Sequence, residues 1–149
     1  MNLDKLREEL AEDEGCKYEI YLDHLGLPTF GIGHLITKDD PECNMNVGTV
    51  IEQSRVQSAF NLDITVTLED CQRLYKDFND LPEEAQLIIA NMMFNLGYPR
   101  LSKFKGMKAG VDARSWASAA DEMVDSKWYT QVPNRARRLV ARMRLLAQE

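Results

Sequence analysis

Residues 14 to 34 read EGCKYEIYLDHLGLPTFGIGH. The runs 17 to 23 and 28 to 34 within this stretch are rich in Tyr, Ile, Leu, Thr and Phe, and glycine and proline separate them. This pattern predicts a small β-hairpin. Glu14 precedes the first run and Asp23 ends it, so the stretch brings two carboxylates to one short segment of the fold. Two carboxylates in one cleft are what glycosidic hydrolysis requires.

Helical patterns account for most of the remaining chain. Leu3, Leu6 and Leu10 recur at helical spacing, which predicts a helix over residues 3–14. Further helices are predicted over residues 50–64, 68–78 and 85–97, and Asp80 is expected to cap the last of these. Two more helices are predicted to start near Asp112 and Pro133. The predicted fold class is α+β, mostly helical with one small sheet.

The length and the cysteines limit the class of protein. With 149 residues the chain can bury one sizeable core, which predicts a single domain. The N-terminus carries charges where a signal peptide needs an apolar run, and no stretch is long enough for a membrane span. We therefore expect a cytoplasmic protein without stable membrane insertion. Cys16, Cys43 and Cys71 lack C-x-x-C spacing, which argues against a disulfide framework or a zinc site. We expect a monomer that needs no metal and no cofactor.

The net charge of −6 is distributed unevenly. Residues 1–96 carry 7 basic and 19 acidic side chains, whereas residues 97–149 carry 11 basic and 5 acidic side chains. A basic half on an acidic protein indicates a face that meets a polyanion, either nucleic acid or the anionic bacterial cell wall. A solvated basic helix that balances an acidic neighbour explains the same distribution.

Three residues of the opening stretch have side chains suited to acid–base chemistry. Glu14 lies four residues after Leu10, on the apolar face and at a helix end, and both settings disfavour a negative charge. It therefore suits the role of general acid. Asp23 lies in a polar turn and suits the base, and Thr29 can hold a water against it. Each residue also has a structural explanation. Glu14 fits an ion pair at a helix end, Asp23 a turn former and Thr29 a strand residue. The His34 side chain fits either a catalytic base or a structural anchor.

Most of the chain also resembles a known family. The segments that carry the resemblance are Glu14-Gly15, Tyr21-x-Asp23, Gly26, TFGIGHL at 29–35, FNLDI at 60–64, NMMFNLG at 91–97 and WYTQVPNRA at 128–136. In this order they resemble the phage-type lysozymes, the T-even phage endolysin family. The resemblance implies a lysozyme-like, two-lobed fold. Its lobes would comprise residues of about 12–60 and 65–149, the second with helix 3–14, and a bridging helix would lie at about 50–64.

The resemblance also implies roles for individual residues. Glu14 would be the general acid, and Asp23 and Thr29 would position the attacking water, with inversion at the anomeric carbon. The residues expected to contact the sugar are Leu35, Phe94 and Asn95. The residues expected to support the site are Arg135 as the partner of the acid, Asn91 near it, and His34 with its partner Asp63.

The activity that these roles imply is hydrolysis of the β-1,4 bond between N-acetylmuramic acid and N-acetylglucosamine in bacterial peptidoglycan. A host-cytoplasmic endolysin that reaches the wall after release would fit. A lytic transglycosylase acts on the same bond, but a water-positioning pair is superfluous there. A catalytically silent wall-binding module would not need the three catalytic side chains. A nucleic-acid binder that uses the last, arginine-rich helix is disfavoured, because aromatic residues do not interleave with its arginines.

Overall fold

The computed structural model describes residues 1–149 and divides them into two compact units. The sheet unit is Arg7–Val66, and the helical unit is Met1–Leu6 with Thr67–Glu149. The strands are β1 (Lys17–Leu22), β2 (Pro28–Gly31) and β3 (His34–Leu35). The helices are α1 (Leu3–Glu14), α2 (Gln53–Leu74), α3 (Glu83–Leu96), α4 (Tyr98–Leu101), α5 (Lys105–Asp112), α6 (Trp116–Val124), α7 (Lys127–Gln131) and α8 (Pro133–Leu146). The α+β, mostly helical fold class is confirmed, and no helix is long and apolar enough to cross a membrane.

The helix predicted at residues 3–14 is present as α1. Asn2 begins it, because its Oδ1 accepts a hydrogen bond from the amide of Lys5 at 3.1 Å. Leu6 and Leu10 are fully buried. Gly15 ends the helix with a φ of +72°, a conformation that glycine adopts at little cost. This glycine turns the chain directly from α1 into β1.

The sheet has three antiparallel strands in the order β1-β2-β3 rather than the two of a simple hairpin. The predicted second strand, residues 28–34, is interrupted because Gly31 and Gly33 adopt φ values of +65° and +64°. The chain reverses there and continues as β3, which the prediction missed. The core of the sheet unit consists of Ile20, Phe30, Ile36, Ile51, Val56 and Ala59.

The two helices predicted at residues 50–64 and 68–78 form one continuous helix, α2. The predicted break was wrong because no glycine or proline interrupts this region. The hydroxyl of Thr65 donates to the carbonyl oxygen of Asn61 at 3.1 Å, so it is satisfied within the helix. Thr67, which was expected to start a second helix, is instead a buried residue of the first.

Two predicted helix caps were also wrong. Asp80 ends a short 3-10 turn, and α3 begins after Pro82 without a side-chain cap. Asp112 is the last residue of α5, and α6 begins after Ser115. Nearly every side of α3 is buried, as its apolar sequence predicted, and α8 begins at Pro133 as expected.

Candidate active site

Glu14 is the last residue of α1, and its carboxylate lies against the backbone of Gly33. An ideal β-carbon built on Gly33 would be 2.6 Å from Oε1 of Glu14. A β-carbon at this position would meet the carboxylate in its present place, and the φ of +64° also favours glycine. The turn between β2 and β3 therefore fixes one wall around the predicted acid.

Asp23 lies in the turn between β1 and β2 and organises it. Its Oδ1 accepts hydrogen bonds from the amides of Leu25 and Leu27, both at 2.9 Å. Its own amide donates to the carbonyl oxygen of Leu27 at 2.9 Å. Both side-chain bonds use the same oxygen, so Oδ2 is the atom that can engage a water or substrate. The predicted turn-forming role of Asp23 is present in the structure.

Thr29 lies on β2 and is buried. Its hydroxyl donates to the carbonyl oxygen of Leu27 at 2.9 Å. Because a hydroxyl has one hydrogen, the lone pairs of Oγ1 are what remains to accept a hydrogen bond. The same turn residue, Leu27, therefore aligns both Thr29 and Asp23.

The charges of Glu14 and Asp23 both influence the pKa of Tyr21. Burial raises the pKa of Tyr21, and the negative charges of Glu14 and, less strongly, Asp23 raise it further. Tyr21 also pairs with Thr29 across β1 and β2. Tyr21, to which no role was assigned from the sequence, therefore lies beside Thr29, and its pKa responds to the charges of both carboxylates.

His34 lies between two carboxylates. Its Nδ1 is 2.7 Å from Oδ2 of Asp63, the expected partner, and its Nε2 is 3.0 Å from Oδ2 of Asp40. Burial lowers the pKa of His34, but hydrogen bonds and charge from Asp63 and Asp40 outweigh burial and raise it overall. This geometry is that of a structural anchor, the second of the two roles considered from sequence.

The carboxylate of Asp40 also joins His34 to a cluster of charged side chains that was not predicted from the sequence. Arg55 donates to Asp40 at 3.1 Å and to both carboxylate oxygens of Glu42, at 2.8 and 2.9 Å. The hydrogen bond from Arg55 lowers the pKa of Glu42. Burial alone would raise the pKa of Asp40, but the amide of Thr37, His34 and Arg55 lower it overall. The acidic residues of the loop before α2 were the only sequence signal for this cluster.

In the helical unit, Arg135 and Asn91 are both buried. Nε of Arg135 donates to Oδ1 of Asn91 at 2.8 Å, and the expected pairing of Arg135 with Glu14 stays a prediction. Oδ1 of Asn95 accepts a hydrogen bond from Nε1 of Trp128 at 2.8 Å, which leaves its amide hydrogens as donors. Phe94 is partly exposed.

Comparison with known proteins identifies the family of this site. Residues 11–144 match the phage lysozyme family. The chain belongs to the phage lysozyme family. A probable T4-type lysozyme 2 of Dictyostelium discoideum is 33% identical over 155 residues, which cover 91% of each chain. The pre-baseplate central spike protein Gp5 of Enterobacteria phage T4 is 28% identical over 90% of this chain and 26% of its own length. The peptidoglycan hydrolase gp36 of Pseudomonas phage phiKMV is 28% identical over 92% of this chain and 15% of its own length.

As a phage lysozyme family member, the protein is a glycoside hydrolase. The helical unit carries a pocket of about 530 Å³ with Trp128 in its wall. Its charged lining residues are Arg100, Lys103, Lys105, Lys127, Glu122 and Asp125. Leu35 belongs to the sheet unit and is exposed, as a side chain that contacts substrate must be. No group of His, Cys, Asp and Glu is arranged to hold a metal ion.

Proposed function

We propose that the protein hydrolyses the β-1,4 bond between N-acetylmuramic acid and N-acetylglucosamine in bacterial peptidoglycan, with inversion at the anomeric carbon. One observation carries this proposal: Asp23 and Thr29 both bond to the turn residue Leu27, and Glu14, at the end of the preceding helix, lies against Gly33. A pair of carboxylates is common to inverting and retaining glycosidases, and inversion is what the resemblance to the family implies. The gp36 relative, named a peptidoglycan hydrolase, supports this substrate.

In the proposed reaction Glu14 donates its proton to the glycosidic oxygen as the carbon–oxygen bond breaks. A water attacks the anomeric carbon from the opposite face and gives its proton to Asp23. Oδ2 of Asp23 accepts this proton, because Oδ1 already accepts two amide hydrogens. Oγ1 of Thr29 accepts the other hydrogen of the water, because its own hydrogen is given to Leu27.

We further propose that Leu35, Phe94 and Asn95 contact the sugars, with Asn95 as a donor to a hydroxyl or carbonyl oxygen. Trp128 holds Asn95 by its acceptor oxygen, so the orientation of the amide is set before substrate binds. The basic half of the chain favours binding to the anionic wall. Because the role of Asn91 is to hold Arg135, its replacement should alter stability more than the contact with sugar.

The test is digestion of purified peptidoglycan by the wild type, Glu14→Gln and Glu12→Gln, with mass analysis of the released fragments. Glu12 is an exposed glutamate on the same helix and serves as the matched control. We expect reducing-end muropeptides from the wild type and the control, and a loss of at least about a thousandfold for Glu14→Gln. The first product should be the α-anomer by NMR. Anhydro-sugar ends would assign a transglycosylase instead, and equal inactivity of all three proteins would indicate a binding module.

A further inference from the structure

The end of the hairpin formed by β1 and β2 carries exposed leucines beside the candidate active site. Leu22, Leu25 and Leu27 are 54%, 50% and 40% exposed. Turns favour glycine, proline and small polar residues, so large apolar side chains are not explained by the turn itself. Exposed apolar side chains that are grouped, rather than scattered singly, are typical of surfaces that contact a ligand or a partner.

One of these residues, Leu27, lies on the same face of the hairpin as the predicted base. The register pairs Tyr21 with Thr29. The ladder continues to Asp23 and Leu27, because the amide of Asp23 donates to the carbonyl oxygen of Leu27 at 2.9 Å. Opposed positions, and positions two apart along a strand, point to the same face. The side chain of Leu27 therefore belongs to the face on which Asp23 and Thr29 would hold the attacking water.

Main-chain hydrogen bonds keep Leu27 close to both of these residues. Its amide donates to Oδ1 of Asp23 at 2.9 Å, and its carbonyl oxygen accepts the hydroxyl of Thr29 at 2.9 Å. Since a β-carbon is about 2.5 Å from its own amide nitrogen, that of Leu27 lies within about 5.4 Å of Oδ1 of Asp23. The turn thus fixes the position of this β-carbon without using the side chain, which is free to contact a substrate.

The substrate carries an apolar group at a matching distance from the reacting atom. In the proposed reaction the water held by Asp23 attacks the anomeric carbon of N-acetylmuramic acid. The neighbouring ring carbon carries the N-acetyl group, whose methyl is about 5 Å from the anomeric carbon. The lactyl ether is attached one ring carbon further away. The N-acetyl methyl is therefore the apolar substituent closest to the base and to the residues of its turn.

We propose that Leu27 is a specificity-determining residue, whose side chain packs against the methyl of this N-acetyl group. The inference rests on the proposed function and adds the substituent by which the enzyme selects its sugar. A formyl group in place of the acetyl group keeps the amide and lacks only the methyl. Because the contact covers about one methyl group, its loss should lower kcat/KM about fivefold.

The test removes each partner of the contact in turn. Glycan strands of peptidoglycan are de-N-acetylated and then re-acylated with either acetyl or formyl groups. The release of reducing ends from both substrates gives kcat/KM for the wild type, Leu27→Ala and Leu22→Ala. Leu22 is the matched control, because it is an exposed leucine of the same hairpin whose position on β1 points to the opposite face.

We expect the wild type to prefer N-acetyl over N-formyl strands by at least about fivefold. Leu27→Ala should lose about fivefold on N-acetyl strands and change by less than about twofold on N-formyl strands, because the methyl that it contacts is already absent there. Leu22→Ala should match the wild type on both substrates. Alanine keeps the main-chain bonds of the turn, and near-ultraviolet circular dichroism and thermal unfolding of each variant check that the fold is retained.

Two results would overturn the inference. Leu27→Ala could keep the full wild-type preference for N-acetyl strands, whether or not its overall rate falls, or Leu22→Ala could reduce that preference as much as Leu27→Ala does. Failure of the proposed function would differ, since the wild type would then release no reducing ends from N-acetyl strands or Glu14→Gln would release as many. If the wild type is active, Glu14→Gln is inactive and Leu27→Ala keeps the preference, only the role of Leu27 is wrong.

Discussion

Gly33 lies directly against Glu14, so that a β-carbon at position 33 would come within 2.6 Å of Oε1. The atom it would strike is the end of a flexible side chain, which can move away cheaply. We therefore expect Gly33→Ala to displace the carboxylate and lower activity at least tenfold. The cost in unfolding free energy should be only about 1 kcal/mol, since the residue has a φ of +64°.

Gly48→Ala is the control for this variant. Gly48 also has a positive φ, of +92°, but no atom lies within 4 Å of an added β-carbon. In urea denaturation, Gly48→Ala should lose at least as much stability as Gly33→Ala, but it should keep its activity. Equal activity losses in the two variants would mean that backbone strain, and not contact with Glu14, explains the effect.

A pH-dependent coupling is expected between His34 and Asp63. The pKa of His34 is raised in the folded state, so its favourable contribution is complete below the unfolded pKa of about 6.5 and is lost as pH rises through the folded value. A double-mutant cycle with His34→Gln and Asp63→Asn should give about 1.5 to 3 kcal/mol at pH 6. The coupling energy should be smaller at pH 9. A coupling that is constant between these pH values would contradict the raised pKa of His34.

Arg55 should not be replaceable by lysine, because it bonds two carboxylates with geometrically fixed donors. Arg55→Lys is expected to lower the unfolding free energy by about 1 to 2 kcal/mol at pH 7. The pKa values of Asp40 and Glu42 are lowered, so this contribution should disappear as pH falls through their folded values. Arg144→Lys, at an exposed pair with Asp121, should cost less than about 0.5 kcal/mol. Similar losses at both positions would refute a special role for the Arg55 cluster.

The buried pair of Asn91 and Arg135 should contribute more than an exposed pair of the same types. Asn91→Ala removes the acceptor at 2.8 Å from Nε of Arg135, and we expect a loss of about 2 to 4 kcal/mol by chemical denaturation. Asn61→Ala removes the acceptor of an exposed hydrogen bond from Arg7, at 2.7 Å, and should cost less than about 1 kcal/mol. If Asn91→Ala and Asn61→Ala lose equal unfolding free energy, burial does not determine how much such a pair contributes to stability.

The parts of the fold that could be predicted from the sequence are those with local causes. The leucine spacing of α1, the apolar composition of α3 and the proline at the start of α8 depend on neighbouring residues, and all three helices are present. The break predicted within α2 was wrong because threonine, a weak helix former, is satisfied there by a carbonyl one turn earlier. Asp80 and Asp112 resemble helix caps in sequence, but neighbouring turns and packing determine where α3 and α6 begin.

The residues of the candidate site likewise divide into those that the sequence could predict and those that it could not. Glu14, Asp23 and Thr29 could be selected because a helix end, a turn and a strand lie within a few residues of one another. The cluster of Arg55 with Asp40 and Glu42 could not, because its members are 13 to 15 residues apart and side-chain charge alone does not select partners.

The hydrogen bonds of Asp23 have a consequence for how changes at this position must be interpreted. One oxygen of the carboxylate holds the turn through Leu25 and Leu27, and the other takes no part in these bonds. Asp23→Ala would remove both oxygens, so a loss of activity in this variant would not distinguish a disrupted turn from a lost catalytic group. Asparagine keeps an acceptor oxygen for the turn and removes the charge. A side chain that replaces Asp23 must therefore still accept the amides of Leu25 and Leu27 if the turn is to keep its shape.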